Sequence, residues 1–296
     1  MRRWWVIVVP YFWLLVFFLV PFGIVLKISL SDSVRAQPPY TPTLNFSEGF
    51  AGLGNFFTKL DFEAYAFLLS DSLYINAFLS SLKIALISTA LALIVAFPLA
   101  YGMARASEKM RPFLVMLIIL PFWTSFLIRV YAWIGILRSE GLLNQLLLWS
   151  GVISEPLAIM NTPTAVYIGI VYSYLPFMVL PIYSTLEKMD DSLLEAAIDL
   201  GCNRTSAFWL VTMPLAIPGI IAGCFLVFIP AMGEFVIPDL LGGSTTLMIG
   251  KTLYSEFFSN LDWPVASAVA IVLLLFLVVP ILIFQRQLEK QQEAGR

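Results

Sequence analysis

Histidine is absent from this chain, and cysteine occurs only twice, at Cys202 and Cys224. Without imidazole there is no His-activated nucleophile, no imidazole metal ligand and no histidine proton relay. Two thiols with no CxxC spacing support neither a disulfide framework nor a zinc site. Charge is scarce as well. Asp, Glu, Lys and Arg make up 12% of the residues, against about 25% in soluble domains. The net charge is −2 with no basic block, which argues against nucleic acid as a partner. The sequence holds no GxSxG elbow, no carboxylate pair with a supporting base and no metal-ligand cluster. Catalytic residues and a metal site are therefore not expected, and the chain does not read as an enzyme.

One motif is a decoy. Gly250-Lys251-Thr252 looks like the end of a phosphate-binding loop. That loop needs a glycine five residues before Gly250, where this chain has Thr245.

What fills the sequence is apolar: 60% of its residues are hydrophobic and the mean hydropathy is +0.89. A water-soluble core of 296 residues could not hide that surface, so the solvent is lipid. A span needs about 20 apolar residues. Charge-poor runs predict six, at about 4–30, 75–103, 112–137, 164–186, 215–237 and 263–285. The expected fold is an all-α polytopic membrane protein forming one permease-sized domain over 1–296. The first run follows Arg2 and Arg3 but is too long for a signal-peptide core, and no small-residue cleavage site follows it. It is expected to remain as a span. The long loop from Lys27 to Tyr74 contains GFAGLGNFF at Gly49 to Phe57 and is expected to hold a short helix or two on the outer rim.

Lysine and arginine in the loops orient the spans. With the N-terminus inside, the inner segments hold Arg2, Arg3, Arg105, Lys109, Arg111, Lys188, Arg204, Arg286, Lys290 and Arg296; the outer ones hold Lys27, Arg35, Lys59, Arg138 and Lys251. Ten against five places both termini in the cytoplasm. Gly219-x-x-x-Gly223, at the start of the fifth run, offers a surface where another helix can come close. Prolines within or near the spans, among them Pro98, Pro121, Pro176, Pro181, Pro218 and Pro230, imply kinks.

The segment 190–214 breaks the apolar pattern. It carries Asp190, Asp191, Glu195, Asp199 and Arg204 between two long apolar runs. Asp190, Asp191 and Ser192 are good N-cap residues, and Ser192-x-x-Glu195 has capping-box spacing. Gly201 stands where a C′ glycine belongs. A short helix is expected from about Ser192 to Leu200, and a second that stops before Pro214. Asp191, Glu195 and Asp199 recur at four-residue intervals as an acidic stripe; Leu193, Ala196, Ala197 and Leu200 make a second face. An acidic stripe is repelled by an anionic leaflet, and paired alanines let another surface approach. Docking of a cytoplasmic partner is expected.

This segment resembles the EAA loop of inner-membrane permeases from ATP-binding-cassette importers. That pattern is E-A-A, three residues, G, nine residues, then I-x-L-P; the chain has Glu195-Ala196-Ala197, Gly201 and Val211-x-Met213-Pro214. The resemblance implies that the elbow is a coupling helix seated in an ATPase subunit. It implies Glu195 as a polar contact, Ala196 and Ala197 as close-packing positions and Gly201 as the turn, with Asp191, Asp199 and Pro214 in the same coupling segment. KISLSDSVRAQPPYT at Lys27 to Thr41, PFWTSFLIRVYAWIGIL at Pro121 to Leu137, VYIGIVYSYLPFMVLPIY at Val166 to Tyr183 and GEFVIPDLLGG at Gly233 to Gly243 are similar to polyamine importer permeases, most of all to the first permease subunit of putrescine systems.

The resemblance implies the type I importer permease fold, with six spans. The implied partners are a second, homologous permease, a cytoplasmic ATPase dimer that holds ATP and magnesium, a periplasmic polyamine-binding protein and membrane lipid. The implied location is the bacterial inner membrane, with no cofactor bound by this chain. A permease for another small solute, or a carrier acting alone, is the rival reading. A polyamine path wants carboxylates and aromatic faces. Glu234 and Asp239, with Tyr131, Trp133, Tyr172 and Tyr174, are the path candidates; Glu256 and Asp262 stand near the same outer mouth. Arg129 is expected at the depth of Glu234, as an ion-pair partner and in a structural or gating role.

Overall fold

The computed structural model describes residues 2–43, 60–244 and 246–294, with the backbone alone for 2–6, 279–280 and 283–294. The loop from Lys27 to Tyr74, expected to hold a short helix or two, has one at Glu63–Ser70; its stretch from Gly49 to Phe57 and the position of Thr245 lie outside the described residues. The helices are α1 (Arg2–Leu14), α2 (Val20–Ser29), α3 (Glu63–Ser70), α4 (Ser72–Ala104), α5 (Arg111–Ile119), α6 (Phe126–Leu137), α7 (Leu142–Trp149), α8 (Pro163–Glu187), α9 (Ser192–Asp199), α10 (Arg204–Ala207), α11 (Met213–Met232), α12 (Val236–Leu240), α13 (Ile249–Phe258) and α14 (Trp263–Ala294). A two-stranded antiparallel ribbon, β1 (Asp32–Ser33) with β2 (Tyr40–Thr41), pairs Asp32 with Thr41 and Ser33 with Tyr40.

Among the described residues, four helices are long and apolar enough to cross a bilayer: Ile7–Ser29, Ser72–Ala104, Pro163–Glu187 and Arg204–Met232. Trp263–Val278 is a shorter apolar stretch. The run read from sequence as one span over 112–137 is broken: Arg111–Trp123 and Phe126–Trp149 meet at 89°. A 3-10 turn over Leu120–Trp123 is followed by Thr124 and Ser125 with extended ψ of 151° and 139°. Hydropathy sees no break there because the bend exposes few charges; only Pro121 hints at it.

Pro214 does not stop the second elbow helix. A π turn over Phe208–Thr212, closed by the Met213 N–H on the Phe208 carbonyl, joins α10 to α11. A proline ring clashes with the carbonyl four residues earlier, and a π turn moves that carbonyl aside. The same device precedes Pro21, where a π turn over Leu15–Leu19 is closed by the Val20 N–H on the Leu15 carbonyl.

The chain forms two compact units, 1–77 with 252–296, and 78–251. In the first, α14 packs on α2 and α3. The Ser29 and Tyr65 hydroxyls meet at 2.7 Å, Lys27 lies 4.0 Å over the Tyr40 ring, and Phe257 stacks on Trp263 at 5.0 Å. Two acids expected near the outer mouth are tied down here. Glu256 accepts from Tyr74 at 3.0 Å and from Asn260 at 2.9 Å, and Asp262 accepts the Val265 N–H at 3.2 Å. Asp32, Asp61 and Glu63 bring carboxylate oxygens within 4.8 Å of one another. Burial first, then the Asp61 and Glu63 charges, hold the Asp32 carboxyl above its ordinary range.

The second unit is built on small residues. On α4, Ser81, Ala85, Ser88, Ala92, Ala96 and Ala100 are buried along one face. Ala92, Ala96 and Ala100 pack with Met178, Val179 and Ile182 of α8 and with Ala216 and Val227 of α11. The Gly219-x-x-x-Gly223 surface lies against α8. A Cβ on Gly219 would meet Thr185 Oγ1 at 2.5 Å and the Pro181 carbonyl at 2.7 Å, and one on Gly223 would meet Met178 Sδ at 2.8 Å. Close backbone approach of this kind is how helices associate where lipid removes the hydrophobic drive.

Candidate functional site

Two groups of side chains in the second unit carry the polar chemistry: the elbow, and a cluster around Glu234.

The elbow helix α9 starts after Asp191 and ends at Asp199. Its C-terminus is a Schellman motif. The Gly201 N–H bonds the Ile198 carbonyl at 2.9 Å and the Cys202 N–H bonds the Ala197 carbonyl at 3.0 Å. Gly201 has φ +93°, which a side chain would strain. The N-terminus differs from the expected capping box. Asp190 Oδ1 accepts the Ser192 N–H at 2.9 Å, so Glu195 is not needed for that donor. This backbone hydrogen bond holds the Asp190 carboxyl below its ordinary range. Asn203, which sequence reasoning passed over, caps α10 by accepting the Ser206 N–H at 2.7 Å. Asparagine two residues after a C′ glycine was the available signal.

Glu195, Ala196, Asp199 and Leu200 are exposed, and Leu193 is 46% and Leu200 87% open. Ala197 is half-buried. Asp191 is not a free member of the stripe: its Oδ1 pairs with Arg105. Pro214 is exposed inside the helix that leaves the elbow.

Glu234 is 7% exposed and sits between α11 and α12. Its Oε1 accepts the backbone N–H groups of Phe235, Val236 and Ile237 at 3.1, 3.0 and 3.4 Å, and so caps α12. Its Oε2 accepts the Tyr174 hydroxyl. Tyr172 meets Trp133 edge-on at 5.3 Å. Tyr131, by contrast, is 58% exposed. Asp239 is paired with Lys251 at 3.1 Å, so the lysine of the phosphate-loop decoy neutralises one of the path candidates.

The expected Arg129–Glu234 ion pair is not made. Arg129 instead donates to the Pro121 carbonyl at 2.8 Å and lies 4.8 Å over the Phe122 ring. That carbonyl also accepts the Thr124 N–H at 3.3 Å and the Thr124 hydroxyl at 2.8 Å, so Arg129 joins the hydrogen bonds that hold the break. An aromatic series separates the two ions. Phe122 meets Phe177 at 5.3 Å, and Phe177 meets Tyr174 at 6.2 Å. Matching depth along two helices was legible in sequence; which way each helix faces was not.

The chain matches a family model described as "Binding-protein-dependent transport system inner membrane component" over residues 4–292. It is 47% identical over 218 residues to the spermidine/putrescine transport system permease protein PotB of Escherichia coli (strain K12), covering 74% of this chain and 79% of that one. It is 43% identical over 240 residues to the protein of the same name from Haemophilus influenzae, covering 78% and 84%. Among solved structures, a chain of a bacterial alginate ABC transporter in complex with an alginate pentasaccharide-bound periplasmic protein shares the fold, with TM-score 0.69, 16% identity and coverage of 95% of this chain and 93% of that one.

Proposed function

Because the chain belongs to the binding-protein-dependent transport system inner membrane component family, we propose that it is the membrane-spanning permease of an ATP-driven importer that carries polyamines, putrescine or spermidine, into the cell. Identity to spermidine/putrescine permeases over three quarters of the chain carries the substrate class. The family is one of multi-pass inner-membrane transport components rather than enzymes.

In this reading the chain has six spans, the bent pair counting as one and α14 as the last, with both termini in the cytoplasm. A second, homologous permease completes the path. A cytoplasmic ATPase dimer, which holds the ATP and magnesium, seats on the elbow. Glu195, Ala196, Ala197 and Asp199 face it, Gly201 sets the turn, and Pro214 marks the passage into span five. A periplasmic polyamine-binding protein docks on the outer loops. This chain binds no cofactor of its own.

An ammonium group entering the path meets Glu234, with aromatic faces from Trp133, Tyr172 and Tyr174 nearby. A carboxylate at membrane depth is a functional candidate by default, and rings stabilise ammonium through their quadrupole. Glu234 is already committed to three backbone donors on one oxygen, which leaves Oε2 and the Tyr174 hydroxyl to rearrange around a cation. Asp239, offset by Lys251, contributes less. Arg129 serves the helix break.

The test is uptake of labelled putrescine and spermidine by cells lacking their own systems, supplied with this chain and its partner subunits. Uptake is expected only with the ATPase present. Glu195→Lys should abolish both uptake and copurification of the ATPase. Uptake by this chain alone would instead indicate a carrier, and uptake of a different small solute would reassign the substrate.

A further inference from the structure

We infer that Arg105 is a positioning residue that makes the elbow and the adjoining end of α4 move as one body; the inference rests on the coupling role proposed above. The chain enters the elbow between two cations from one turn. Arg105, the residue after α4, pairs with Asp191 at the start of α9. Arg111, the first residue of α5, lies 3.9 Å from Glu187, the last residue of α8. The same Glu187 oxygen accepts the Tyr183 hydroxyl at 2.7 Å.

The chain leaves the elbow against the same structure. Phe208, at the start of the π turn, meets Phe97 at 5.9 Å and Tyr101 at 5.6 Å, both edge-on. Arg105 lies over the Tyr101 ring at 5.6 Å, which joins the ionic contact to the aromatic one. Both flanks of the elbow are thus anchored on the last turns of α4 and the turn over 105–111. The face of α9 that carries Glu195 and Asp199 stays exposed.

Strength is not what gives the Arg105–Asp191 pair its role. The Asp191 side chain is 71% exposed, and exposed pairs contribute little to stability. Its placement matters instead. A push on α9 reaches α4 through Asp191 and Phe208 together, and α4 carries that push along the buried face of Ala100, Ala96 and Ala92. Asp191 is therefore committed to this chain through Arg105, while Glu195 and Asp199 stay open to the partner.

The experiment uses the assembled transporter in a Cys224→Ala background, with Cys202 as reporter. Cys202 closes the Schellman turn of α9 and is part-exposed. Maleimide labelling of Cys202 and labelled-putrescine uptake are measured for R105E, R105K and the charge swap R105E/D191R. The expected result is that R105E labels faster and takes up putrescine more slowly, each by about fivefold or more, the low end of coupling between linked sites. ATP hydrolysis and ATPase copurification persist in R105E, R105K resembles the parent, and the swap restores both readouts. Unchanged labelling in R105E, faster labelling with normal uptake, or a swap that restores neither readout would overturn the assignment. A parent transporter that takes up no polyamine would overturn the substrate reading instead, while the labelling series still judges the clamp.

Discussion

Tyr174 donates its hydroxyl to the same carboxylate, Glu234, that caps α12 through its other oxygen. One side chain therefore holds a helix and faces a ring hydroxyl from α8. Glu234→Gln keeps an acceptor for the backbone donors and removes the charge, so it separates the two duties. A hydrogen bond to a charged group contributes about 1.5–3 kcal/mol. The expected outcome for Glu234→Gln is a rise of about tenfold or more in the apparent KM for putrescine, with normal membrane levels. Tyr174→Phe should give a smaller rise. Initial uptake rates against concentration read both.

Asp239 makes the contrast. Its bridge to Lys251 leaves the carboxylate side chain 55% exposed, and bridges of that exposure contribute only about 0.2–1 kcal/mol. Asp239→Asn should change the KM by less than about threefold. A change as large as that in Glu234→Gln would show that Asp239 contacts the substrate despite its lysine.

Two glycines on buried and open backbone predict opposite effects. Gly219→Ala places a Cβ against the Pro181 carbonyl, which cannot yield, and overpacking costs about 1–3 kcal/mol. At Gly102 a Cβ would stand in open space, with nothing within 4 Å, and alanine in a helix interior gains about 0.5–1 kcal/mol over glycine. In detergent, the apparent melting temperature should fall for Gly219→Ala and hold or rise for Gly102→Ala.

Asp32 predicts a pH dependence. Its folded carboxyl is held above the ordinary value of 3.8, so between that value and the raised one the folded chain binds more protons than the unfolded chain. Stability therefore falls as pH rises through that window and is higher below it. Asp32→Asn should flatten this part of the profile and raise the apparent melting temperature at pH 7. Intrinsic tryptophan fluorescence during heating, at pH 4, 5 and 7 in turn, measures it. A steeper profile in the variant would contradict the assignment.

Local signals carried most of the reading from sequence. The elbow helix was legible because its start and its C′ glycine are set by residues within one turn. Four of the spans were legible as apolar runs, and so was the close helix pair at Gly219 and Gly223. What escaped has in common that it depends on facing rather than spacing. Arg105 and Asp191 are 86 residues apart, and nothing local ties one to the other. Arg129 was matched to Glu234 by depth, yet its helix turns it to Pro121. The bend at Thr124 and Ser125 lies among uncharged residues, where a hydropathy count passes straight through.

The π turn at Phe208–Thr212 has a consequence for register. It holds one residue more than an α turn would, and the Met213 N–H is matched to that extra residue. Each α-helical residue turns the chain by about 100°. Deleting a single residue here would close the turn to α geometry and leave the segments on either side facing nearly as they do now, whereas the same deletion within the plain α-helix of α11 would swing everything before it, Glu195 and Asp199 included, by that angle. The stretch before Pro214 thus has room to lose one residue without turning the elbow, a tolerance the helix beyond Pro214 does not share.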